Sequence, residues 1–178
     1  TAIGIYLGDL PRFLLVPLVL IGGATSGALW GMLAAFLKNR FGANEVVTTI
    51  MLNYIAIFTT GWLVTGPMIE TVGLFAQTAK ISENAWLWRF LPPTRLHTGF
   101  LLALVLALVL YILIFKTSLG YTIRAVGINP DAARYAGINV KQKALLAMAI
   151  SGGAAGLGGA VEVAAISYRL YQLISPGY

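Results

Sequence analysis

The 178-residue chain contains no cysteine and a single histidine, His97. The first absence excludes disulfides and thiolate metal sites, and one imidazole cannot hold a metal by itself. Charge is scarce too: 10% of the residues are Asp, Glu, Lys or Arg, against about 25% in soluble domains. Apolar residues make up 58% of the chain and mean hydropathy is +0.83. A water-soluble core of this size could not hide that much apolar surface, so the chain reads as an integral membrane protein. No G-x-x-x-x-G-K-[ST] motif is present, which excludes ATP binding through a P-loop. Gly156-Leu157-Gly158-Gly159 lies inside an apolar run with no strand before it and does not qualify as a nucleotide glycine loop. Neither a Ser-His-Asp set nor a carboxylate pair can be assembled, which disfavours an enzyme. The net charge of +6 is no sign of nucleic-acid binding, because the cations gather at the ends of apolar runs.

Four apolar stretches are long enough, or nearly so, to cross a hydrocarbon core of roughly 20 helical residues. They are about Phe13–Leu37, Val46–Val64, Gly99–Phe115 and Ala144–Ile166. Helices satisfy their own backbone in lipid, so the expectation is an all-α, polytopic transmembrane helix bundle forming one domain over 1–178. Alternation places the linkers Lys38–Glu45 and Lys116–Lys143 on one side. These two linkers are the richer in Lys and Arg for their length, which makes that side cytoplasmic. A broken helix is most expected in the second span, where Thr, Asn and Gly interrupt the apolar run. On the other side, Trp86, Trp88 and Phe90 precede Pro92-Pro93, and a short interfacial helix is expected near Glu83–Leu91. The chain opens on Thr1 and closes on ISPGY, so a fragment of a longer polytopic protein is expected.

The cytoplasmic segment Lys116–Lys143 carries five of the chain's twelve Lys and Arg and one acid. It contains a helix start: Asn129 can cap, Pro130 fits the first helical position and Asp131 favours the positive end. Gly137 supplies a stop. A small helix held at a membrane surface is suited to meeting a partner.

Inside the membrane two faces stand out. At about 100° per residue, Glu45, Thr49, Asn53 and Thr60 share one side of the second span, with Thr59 at its edge. Such a stripe faces protein or a water-filled cavity. It serves either interhelical hydrogen bonds or a substrate path, and Glu45 either caps its helix beside Asn44 or lines that path. On the fourth span, Ser151, Ala155, Gly158, Gly159 and Glu162 share a face continued by Ala144 and Ala147. Glu162 is expensive in lipid, so it lines a pathway or pairs with Arg169. Gly23, Gly27 and Gly31 on the first span form a small-residue face for close helix packing. On the residues alone, an ion-coupled secondary transporter or channel remains open, with Glu45 and Glu162 as coupling-ion sites.

RAVGINPDAARYAGINV followed by ISGGAAGLGGAVEV resembles the permease subunits of bacterial ABC importers, in the branch serving branched-chain amino acids and simple sugars. FGANEVVTTIMLNYIA, with Glu162 and the closing SPGY, is similar to the nucleoside and simple-sugar permeases within it. The likeness runs from about Gly22 to Tyr178. It implies a multi-pass protein of the bacterial inner membrane that translocates a nucleoside or simple sugar. It also implies a second permease subunit, identical or not, an ABC ATPase on the cytoplasmic side and an external substrate-binding lipoprotein. ATP would be used by the ATPase, and no cofactor is implied for this chain. The polar segment becomes a coupling region, in which Thr122, Arg124, Ala125, Gly127, Asn129, Pro130, Ala132, Ala133 and Gly137 match the family pattern. Glu45, Thr49, Asn53 and Glu162 become substrate-pathway residues. The sequence departs from the pattern at Tyr168, where the family has a histidine before the Arg, and it lacks the family's beginning and its later spans.

Overall fold

A computed structural model describes residues 1–69, 77–88 and 97–171. In order these form α1 (Ala2–Tyr6), α2 (Arg12–Phe41), α3 (Glu45–Thr65), a 3-10 turn (Glu83–Ala85), α4 (Thr98–Lys116), α5 (Ser118–Ile128), α6 (Pro130–Tyr135) and α7 (Val140–Glu162). A π-helical turn, Val163–Ser167, continues α7. Among the described residues there is no strand, only isolated β-bridges. Four helices among the described residues are long and apolar enough to cross a membrane: α2, α3, α4, and α7 with its π turn. The chain is an all-α polytopic bundle.

Local signals fix the helix ends. Lys38 and Arg40 extend α2 beyond the expected Leu37, as cations do at the negative end of a helix, and Gly42 at φ 66° stops it. Asn44 accepts the Val46 N–H at 3.0 Å and starts α3. His97 is a cap as well, its Nδ1 accepting the Gly99 N–H at 3.1 Å ahead of α4. Asn139 accepts the Gln142 N–H at 3.1 Å at the start of α7.

The expected break in the second span is absent, since α3 runs unbroken over 21 residues. Its threonines turn back on their own helix: Thr49 Oγ1 donates to the Glu45 carbonyl at 2.9 Å and Thr59 Oγ1 to the Ile55 carbonyl at 2.6 Å. Such bonds satisfy a hydroxyl without opening the backbone ladder. The irregularity falls at the end of the fourth span instead. There the π turn passes into Tyr168 at φ 54°, whose N–H donates to the Val163 carbonyl at 2.9 Å.

Packing is dominated by α2 against α7. Gly23, Gly27 and Gly31 form the α2 side, as the sequence predicts. A Cβ added at Gly31 would sit 2.6 Å from the Met148 carbonyl oxygen, and one at Gly23 would sit 2.8 Å from that of Gly156. At Gly27, Gly152 and Gly156 an added Cβ would fall on facing backbone. The α7 side is therefore Gly152 and Gly156. The stripe expected through Gly158 and Gly159 is not this seam, since a Cβ at either meets open space. Asn39 Nδ2 donates to the Lys141 carbonyl at 2.9 Å, which ties the two basic linkers to the same end of the bundle.

The other end carries a compact cap. Leu15, Val19, Ile81, Ala85 and Val163 are buried together, with Ile3, Leu10, Trp86 and Tyr168 against them. Leu87, Ala164 and Ala165 make a second cluster beside it. The expected interfacial helix over Glu83–Leu91 shortens to the turn Glu83–Ala85. Past it the chain extends, because Trp86 turns inward: its ring lies 4.6 Å from that of Tyr168, Lys80 Nζ sits 4.3 Å from its centroid, and Arg12 donates to its carbonyl at 2.7 Å. Trp88 stays exposed, as a headgroup anchor would. Phe90, Leu91 and Pro92-Pro93 lie outside the described residues.

Thr78 clasps this cap to the end of α7. Its hydroxyl accepts the Leu170 N–H at 3.0 Å, and its N–H donates to the Leu170 carbonyl at 3.1 Å. Thr78 is fully buried. Thr78→Val keeps the shape and leaves the Leu170 N–H without its acceptor, a loss of about 1–3 kcal/mol. Thermal melting in detergent is expected to fall for Thr78→Val and to stay near the parent value for Thr78→Ser.

Candidate functional site

The segment expected to hold one small helix folds into two. Thr117 Oγ1 accepts the Gly120 N–H at 3.1 Å and starts α5, a cap that the sequence reading passed over. Asn129 then starts α6, its Oδ1 accepting the N–H groups of Asp131 at 3.1 Å and Ala132 at 3.0 Å, with Pro130 in the first turn. Gly137 ends it at φ 79°, a conformation that favours glycine.

The nine residues matched to the coupling pattern serve mostly to build this corner. Thr122 Oγ1 donates to the Leu119 carbonyl at 2.8 Å. Arg124 lies over the Phe115 ring at 5.1 Å, which folds α5 onto the end of α4. The Ala125 carbonyl accepts the Asn129 N–H at 3.1 Å, and that of Ala132 accepts the Ala136 N–H, also at 3.1 Å. Ala133 is buried, and Gly127 is bordered by open space. What protrudes is a pair the pattern leaves out: Ile128 is 86% exposed and Tyr135 94%. They flank α6 at its two ends. An apolar residue directly before a helix-capping Asn and an aromatic in that helix's last turn were the available signal, and it was missed.

The pathway residues do not converge within the described structure. Glu45 sits in the first turn of α3 and forms an ion pair with Lys38 at 2.6 Å, so it fastens the α2–α3 corner. Both groups are about half exposed, so the pair contributes at most about 1 kcal/mol. Thr49 is occupied by its own backbone, and Asn53 is exposed on α3. Glu162 lies at the far end of the bundle, on α7, where Ser167 Oγ donates to its carboxylate at 3.1 Å across the π turn. The main neighbour of α3 is α2, and it has no substantial contact with α7. Thr49 and Asn53 therefore stand apart from Glu162 here. The closing SPGY lies outside the described residues.

The whole chain, this corner included, is similar in sequence to known proteins. The family described as the permease component of the branched-chain amino acid transport system matches residues 2–177. The chain belongs to this family. It is 38% identical over 161 residues to a nucleoside ABC transporter permease protein of Lactococcus lactis, covering 86% of this chain and 44% of that relative. A guanosine ABC transporter permease protein of Bacillus subtilis is 38% identical over 159 residues, covering 86% of this chain and 45% of its own length. A glucose ABC transporter permease protein of Haloferax volcanii is 31% identical over 184 residues, covering 96% of this chain and 47% of that relative. The chain thus spans about half the length of the curated relatives it matches. No solved structure matches it.

Proposed function

We propose that the chain acts as part of the permease subunit of an ATP-driven importer in a bacterial inner membrane, carrying a nucleoside or a simple sugar. Its α5–α6 corner is the surface that an ABC ATPase engages. The observation that carries this reading is the pair Ile128, at the end of α5, and Tyr135, at the end of α6, left 86% and 94% exposed. Exposed aromatic and aliphatic anchors on a rigid element are what a buried protein contact requires. The family match and the nucleoside, guanosine and glucose permeases among the relatives support the substrate class.

In this reading a second permease subunit, identical or not, completes the translocation path, and an external lipoprotein delivers the substrate. ATP is hydrolysed on the partner, not on this chain. Thr49 and Asn53 on α3 line one part of the path and Glu162, at the far end of α7, another, since polar groups in a span must face water or protein. Closure of the ATPases pushes α6, and α7 carries the displacement towards Glu162.

The experiment is a gentle-detergent purification of the full-length permease from its native membrane, with uptake measured in vesicles. The reading expects a Walker-motif ATPase to co-purify and nucleoside or sugar uptake to require ATP. A permease that purifies alone, and whose uptake follows an ion gradient without ATP, overturns it in favour of a secondary transporter.

A further inference from the structure

At the end of the α2–α7 pair that carries the basic linkers, the end expected to be cytoplasmic, lies a cleft of about 710 Å³. Its deeper wall is apolar, made by Met32, Leu145 and Leu146, and its mouth is polar, with Asn39, Lys141 and Gln142. The Asn39–Lys141 bond at 2.9 Å holds the mouth. Lys141 lines it, Lys38 and Arg40 adjoin the lining residue Asn39 in the chain, Lys143 adjoins Gln142, and Glu45 is paired to Lys38. Among the described residues neither Arg40 nor Lys141 has an acidic partner, and both are exposed.

We infer that this cleft binds an anionic phospholipid of the cytoplasmic leaflet. The polar and apolar parts are arranged as such a lipid requires. Leu145 and Leu146 lie four and five residues beyond Lys141 on α7, roughly 6–8 Å deeper at 1.5 Å per residue. That is the step from a phosphate to the first methylenes of its acyl chains. Lys141 meets the phosphate, Arg40 beside Asn39 adds to the positive field at the mouth, the Gln142 amide meets the headgroup, and Met32, Leu145 and Leu146 take the chains. Basic pockets between spans on the cytoplasmic side recognise anionic headgroups on this principle. A small soluble anion would use the mouth and leave the apolar wall idle. The inference does not rest on the transported substrate.

The test titrates phosphatidylglycerol into the full-length permease in detergent, with phosphatidylcholine and inorganic phosphate in parallel. Bound lipid is counted by native mass spectrometry. Phosphatidylglycerol is expected to stay bound and to raise the melting temperature, and the other two are not. Each exposed cation near an anionic headgroup is worth about fivefold in affinity, so Lys141→Gln is expected to weaken binding about fivefold and the double variant Arg40→Gln/Lys141→Gln more than tenfold. Both side chains are exposed, so the lipid-free melting temperature should not move; it serves as the folding control. Equal retention of phosphatidylcholine, or unchanged phosphatidylglycerol binding in the double variant, overturns the inference. Protection by inorganic phosphate equal to that by phosphatidylglycerol overturns it too, and assigns the mouth to a small anion.

Discussion

Replacing Gly156 by Val is expected to separate α2 from α7 and to lower the melting temperature of the 178-residue chain in detergent more than any other single change described here. An added Cβ at Gly156 falls on the Gly23 carbonyl, and the Gly27 Cα lies 3.0 Å away. Both are backbone, so neither can step aside as a side chain does. Overpacking a well-packed contact typically costs 1–3 kcal/mol, and two facing backbones put this site at the upper end. In lipid, moreover, close packing of this kind is what holds helices together. Gly158→Val is the matched control. It lies two residues away on the same helix, where an added Cβ meets open space, and its melting temperature is expected to stay close to the parent's. Equal losses at the two positions would show that helix propensity, not the seam, sets the cost.

The double substitution Ile128→Ser/Tyr135→Ser is expected to abolish ATPase co-purification and uptake while leaving the bundle intact. Central interface anchors, aromatic ones above all, cost 2 kcal/mol or more when truncated, about thirtyfold in affinity each. Both side chains are almost wholly exposed among the described residues, so thermal melting should not change. Ala133→Leu offers the opposite signature: Ala133 is 4% exposed, so the larger side chain should disturb the corner itself and lower both stability and coupling. ATPase retained at parent levels by the Ile128/Tyr135 variant would move the contact off this corner.

Much of this fold is legible in the residues. Four runs of apolar side chains give four helices, and Asn44, Asn129 and Asn139 mark starts because their side chains reach the second or third N–H that follows. The small-residue face of α2 is readable too, since Gly23, Gly27 and Gly31 repeat at every fourth position. Its partner face is not. α7 carries glycine at 152, 153, 156, 158 and 159, and only the rotation of the helix against α2 selects Gly152 and Gly156. Trp86 is ambiguous for a similar reason. An indole shortly before Pro92-Pro93 looks like a headgroup anchor until Tyr168, distant in sequence, and Lys80 close around it. The pathway residues stay unassembled because a polar stripe on α3 specifies a direction and not the surface it meets. Ile128 and Tyr135 were passed over because an isolated apolar residue in a polar segment carries no periodicity.

Synthesis order adds a further consequence of the seam. Gly27 and its facing Gly156 are separated by roughly 130 residues, so at about 5–20 residues per second α2 emerges roughly 6–25 s before its main partner exists. During that interval its glycine face meets lipid or the insertion machinery, and α3 to α6 take their places first. The bundle is complete only when the last described span arrives to close it.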